Sequence, residues 1–157
     1  MRSNADIAIN LFIIALLPAI CEEVCFRGAL QRVLIHIFKS PWAGIILTAI
    51  LFSAFHMQFE GFLPRMFLGI LLGLLFWYTG SLWVNMLAHF FINAVQVIVV
   101  LYYPKFVDEN PSVPIFAVIL SGLLICAVFL IIKRQSTISF AKVYEFEKVN
   151  EHNQFIA

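Results

Sequence analysis

Long apolar runs broken by short polar punctuation constrain this chain of 157 residues more than any other feature. Ile7 to Ile20, Trp42 to Met57, Met66 to Tyr78, Leu82 to Tyr103 and Val113 to Ile132 are each dominated by Leu, Ile, Val, Phe and Ala. A helix that crosses the hydrocarbon of a bilayer takes roughly 20 residues. In lipid its backbone N–H and C=O groups have to be bonded within the protein. The runs therefore predict an all-α, polytopic transmembrane helical bundle of about five spans. Composition agrees, with 62% of residues apolar and 12% charged, against roughly 25% charged in a soluble domain. Ten Lys and Arg against nine Asp and Glu leave a net charge of +1. Such a balance offers no phosphate-binding surface, so no nucleic-acid partner is expected.

Two units are expected: residues 1–132 as the transmembrane core, and residues 133–157 as a polar tail that is cytoplasmic and partly disordered. Lys39-Ser40-Pro41 marks a turn, with Pro41 suited to the first turn of the next helix. Gly69 and Gly73 form a GxxxG pair, read as close packing within the bundle rather than dimerisation. On five spans, Arg2, Arg65 and Lys105 fall on one face. Lys39, Lys133, Arg134, Lys142 and Lys148 fall on the other, with Arg27 and Arg32 at the foot of the first helix. The excess puts the C-terminus in the cytoplasm. Residues 1–20 are not read as a signal peptide, because no small-x-small cleavage site follows. Cys21, Cys25 and Cys126 are odd in number and lie in apolar stretches, which argues against a disulfide framework. Cys21 and Cys25 are read as small packing residues.

In such a chain the informative side chains are those that lipid disfavours, since a charge at the bilayer centre costs at least about 2.5 kcal/mol on insertion scales. Glu23 and Arg27 stand four apart, with the acid N-terminal, the favourable order for an ion pair on one helix. Glu22 lies about 100° further round the helix and keeps no local cation. A carboxylate so placed is the raw material of a general base. His89 and Asn93, again four apart, share a helix face. The midpoint of positions 22 and 56 is 39, so a hairpin turning at Lys39 to Pro41 brings Glu22 and His56 to one height. A carboxylate, two imidazoles and an amide are thus predicted to meet. They suit water-mediated amide hydrolysis with a stabilised oxyanion. Alternatively, two His and one Glu can hold a divalent metal such as zinc, although no HExxH is present. His36 and His152 are read as solvated, Asn85 and Gln96 as packing polar groups.

These residues also carry a family resemblance. Glu22-Glu23-Val24-Cys25-Phe26-Arg27-Gly28 resembles an EExxFRG motif, Phe52 to His56 an FxxxH motif, and His89 to Asn93 an HxxxN motif preceded by Ser81-Leu82-Trp83. In this order they resemble the CPBP intramembrane proteases, the CAAX prenyl protease and bacteriocin-processing group related to type II CAAX prenyl endopeptidases. The resemblance implies that Glu22 and His56 activate water and that His89 and Asn93 stabilise the oxyanion, with Glu23 and Arg27 in support. It implies a site facing the cytoplasm of a bacterial-type plasma membrane and a peptide or lipidated-peptide substrate. It leaves metal use open. About 20 residues precede the first motif, fewer than the several spans usual in the family, so an N-terminally shortened member is expected. The leading expectation is an intramembrane endopeptidase. The alternatives are a non-catalytic membrane protein serving bacteriocin self-immunity or partner binding, and an ion or proton pathway through Glu22 and the two histidines.

Overall fold

The computed structural model describes residues 4–102 and 115–135, together with Phe140, Lys142, Tyr144 and Glu145. Among them are five helices: α1 (Ala5–Phe38), α2 (Pro41–Ala54), α3 (Phe62–Thr79), α4 (Leu82–Tyr102) and α5 (Ile115–Gln135). Helices α1, α3 and α4 are long and apolar enough to cross a membrane, and α2 is a shorter apolar helix. Large apolar side chains such as Ile13, Phe67, Trp83 and Phe91 point outward, as a lipid-facing surface requires. The all-α membrane bundle expected from the sequence is therefore the fold. The connection between α4 and α5 and the end of the tail from residue 146 lie outside the described residues.

Helix α1 differs most from its sequence reading. The apolar run Ile7 to Ile20 and the charged segment after it form one helix of 34 residues, about 51 Å long at 1.5 Å per residue, against a hydrocarbon core of about 30 Å. Two π-helical segments, Leu11–Leu16 and Val24–Leu30, interrupt its α-helical geometry. Pro18 has no N–H for the carbonyl of Ile14, and the wider π turn just before it carries the chain past the proline without a break.

The π turns also set which side chains face inward. Ala15, Ala19, Glu23, Arg27, Gln31 and Ile35 are spaced by four and all fully buried. In an unbroken α-helix each four-residue step overshoots a full turn by about 40°, so five steps would carry the stripe roughly 200° round the helix. A π turn advances less per residue, so the segment Val24–Leu30 offsets much of the drift. Cys21 and Cys25 sit two positions from this stripe, on the opposite side of α1, and are exposed. This corrects their reading as packing residues.

Tight turns set the hairpins. Lys39 adopts a left-handed φ of 50° and ends α1. The Ser40 hydroxyl accepts the Ala43 N–H at 3.3 Å to cap α2, with Pro41 in the first helical turn. Gly80, with φ of 65°, closes α3, its N–H donating to the Phe76 carbonyl at 2.8 Å. Helix α2 stops at Ala54, three residues before the end of its apolar run. Its 14 residues span only about 21 Å, so the chain leaves helical geometry before His56. The Ser53 hydroxyl donates to the Phe62 carbonyl at 2.6 Å and ties this connection to the start of α3.

The GxxxG pair packs within the bundle, as expected. A Cβ on Gly69 would stand 3.0 Å from the Ala49 Cα, and one on Gly73 would stand 2.9 Å from both the Ile45 Cγ2 and the Gln31 Oε1. Gly73→Ala is expected to lower the unfolding midpoint in detergent, corresponding to about 1–3 kcal/mol for an overpacked core. A variant as stable as the parent would refute the close approach of α1 and α2 to α3. In the tail, Phe140 and Tyr144 are buried against Ile35 and Phe76 beside Trp77 and Leu82.

Candidate active site

Two adjacent carboxylates have opposite surroundings because they lie about 100° apart on α1. Glu23 faces the bundle interior and is fully buried. Its Oε1 accepts from Arg27 Nη1 at 2.8 Å and lies 2.8 Å from His89 Nδ1. Its Oε2 accepts from Asn85 Nδ2 at 3.1 Å. Arg27, also fully buried, donates through Nη2 to the Gly69 carbonyl at 3.1 Å. Its guanidinium carbon stands 4.7 Å from the centre of the Phe52 ring. The pairing of Glu23 with Arg27 inferred from their spacing is thus present, and its depth removes Arg27 from the loop charges that orient the chain.

The same network bolts three helices together. Arg27 and Gln31 of α1 and Asn85 of α4 donate to the carbonyls of Gly69, Gly73 and Leu72 on α3, at 3.1, 3.1 and 2.7 Å. Sequence reasoning gave no role to Gln31 and left Asn85 as a packing group. The available signal was spacing by four, Glu23-Arg27-Gln31 on α1 and Asn85-His89 on α4, which puts each set on one helix face.

Glu22 turns the other way. Its side chain is 27% exposed and lines a cavity of about 850 Å3 between α1 and α4. His56, His89 and Asn93 line this cavity too, so the four residues grouped from the sequence border a single space. Asn10, Ile14 and Pro18 of α1 and Gln96 and Val97 of α4 extend it along the two helices. Glu22 Oε2 makes no hydrogen bond within the protein and stands 3.8 Å from His89 Nε2.

Each histidine is held by its Nδ1. The His56 Nδ1 lies 2.9 Å from the Phe52 carbonyl, which only accepts, so Nδ1 carries the proton. By the same reasoning His89 donates its Nδ1–H to the Glu23 carboxylate. The Nε2 atoms of both rings are thereby left for chemistry. Phe52 fills the space behind them, its ring centre 5.1 Å from that of His56 and 5.8 Å from that of His89. Among the described residues no group of three or more His, Cys, Asp or Glu side chains is arranged to hold a metal ion.

A family model described as type II CAAX prenyl endopeptidase Rce1-like matches residues 4–95, more than half of the chain. The chain belongs to this Rce1-like family. The match takes in Glu22, Glu23, Arg27, His56, His89 and Asn93 and every helix that positions them. The uncharacterized protein YpbD of Bacillus subtilis (strain 168) is 36% identical over 90 residues, covering 55% of this chain and 43% of that relative. The chain thus spans less than half the length of the relative it matches. No solved structure matches it.

Proposed function

We propose that this chain is an intramembrane endopeptidase that cleaves a peptide or lipidated peptide with water activated by Glu22. The observation that carries the reading is the division of labour between the two acids. Glu23 spends both oxygens on Arg27, His89 and Asn85, whereas Glu22 lines the cavity and its Oε2 takes no hydrogen bond from the protein. Membership of an endopeptidase family supports it.

In this mechanism a water in the cavity bonds to the Glu22 carboxylate and to His89 Nε2, which stands 3.8 Å from Glu22 Oε2. Glu22, aided by His56, takes a proton as the water oxygen attacks the peptide carbonyl carbon. His89 Nε2 takes the second proton of the water, and the oxyanion that forms accepts hydrogen bonds from that Nε2–H and from the Asn93 amide. Collapse of this intermediate breaks the C–N bond, and the two protons, one held at Glu22 and one at His89, pass to the leaving amine, which departs as the ammonium beside the product carboxylate. Glu23 keeps the His89 ring oriented throughout, and no covalent enzyme intermediate forms. The positive-inside count puts the Lys39 end in the cytoplasm, whereas the cavity runs from Glu22 towards Asp6 and Leu101 at the other end of the bundle.

The test uses the chain in proteoliposomes with a defined set of membrane-anchored apolar peptides, each with and without an isoprenylated cysteine, and reads fragments by mass spectrometry. Asn93→Ala is expected to lower kcat by about 100- to 1000-fold, the loss typical of one oxyanion donor. If the parent chain cleaves nothing while Asn93→Ala retains partner binding or bacteriocin protection, the reading gives way to the non-catalytic one.

A further inference from the structure

The side chain of Asn85 is fully buried, yet its Oδ1 accepts no hydrogen bond. Burying an amide with an unpaired acceptor is unfavourable, so the residue contributes through its donors. Both run from Nδ2, one to the Leu72 carbonyl at 2.7 Å and one to Glu23 Oε2 at 3.1 Å. They fix a carboxylate that is anchored otherwise only through Oε1, by Arg27 and His89.

We infer that Asn85 is a positioning residue: it pins Glu23 to the α3 backbone and thereby holds the proton of His89 on Nδ1, so that Nε2 faces the cavity. Without the amide, Oε2 is bare, and rotation or protonation of Glu23 weakens its grip on His89. The charged and titratable groups around this point are Glu22, Glu23 and Arg27 of α1, His89 of α4 and His56 beyond α2, while α3 presents the carbonyls of Gly69, Leu72 and Gly73. The catalytic meaning of the inference rests on the proposed hydrolysis. Its physical content does not.

The experiment is nitrogen NMR of the full chain, labelled in its four histidines, in phosphatidylglycerol nanodiscs, with His89 assigned by its loss in His89→Asn. The parent is expected to show a protonated Nδ1 with a strongly downfield proton. Asn85→Leu is expected to lose that signal as the ring redistributes between tautomers. Asn85→Asp keeps the shape but sets a carboxyl against Glu23, and is expected to move the proton upfield. Combined with Glu23→Gln, Asn85→Leu is expected to change the His89 signal no further than Glu23→Gln alone. A folded Asn85→Leu with the parent's His89 spectrum overturns the inference. Where Asn85→Leu does not fold, Asn85→Asp decides, and a spectrum like the parent's overturns it. A purely structural residue would lower the unfolding midpoint and leave the ring signal in place. Absence of any peptide cleavage by the parent would sink the proposed function and leave this result standing.

Discussion

Arg27→Met is expected to destabilise the fold by about 3–5 kcal/mol, the loss typical when one partner of a buried ion pair is removed. The variant would leave the fully buried Glu23 without its 2.8 Å cation and the Gly69 carbonyl without the guanidinium. Packing is not the main loss, because methionine replaces much of the aliphatic stem. The unfolding midpoint in detergent measures the effect, and adding Glu23→Gln to the variant is expected to recover part of the stability by removing the unpaired charge. Parent-like stability in Arg27→Met would mean that Glu23 is neutral and that the network is held by its hydrogen bonds to neutral groups.

The neighbouring acid is expected to behave in the opposite way. Glu22→Gln preserves shape at a partly exposed side chain whose Oε2 takes no hydrogen bond from the protein, so stability should stay within about 0.5 kcal/mol of the parent. Peptide cleavage should fall by about 100- to 10,000-fold, the usual contribution of a positioned general base. Activity within tenfold of the parent would remove Glu22 from the mechanism. Taken together, the two variants separate folding from chemistry at positions only a few residues apart on one helix.

Much of this division is legible in the sequence. The i,i+4 spacing pairs Glu23 with Arg27, the roughly 100° step sends Glu22 elsewhere, and the hairpin midpoint brings His56 to its height. The four-residue step from His89 to Asn93 puts both on the cavity wall. What stayed hidden depends on departures from ideal helices or on partners distant in sequence. Periodicity at 3.6 residues cannot show that Ala15 through Ile35 share one face, because that depends on the π segment Val24–Leu30 within the stripe. Asn85 acts through Glu23, 62 residues earlier, and through a backbone carbonyl that no side-chain pattern reports. The early stop of α2 depends on the bonds of the connection that follows it, and an apolar composition extending to Met57 conceals it.

The carbonyl-bound network also has a consequence for the order of assembly. Helix α1 leaves the ribosome before α3 and α4, carrying Glu22, Glu23, Arg27 and Gln31, while the carbonyls on α3 and the amide and imidazole on α4 are still to be made. Until they arrive, the Glu23 and Arg27 pair is desolvated on a single helix, an arrangement that bilayer insertion disfavours. Stable seating of α1 at its final depth is therefore tied to the arrival of α3 and α4, and the residues that build the site also set when the bundle can close.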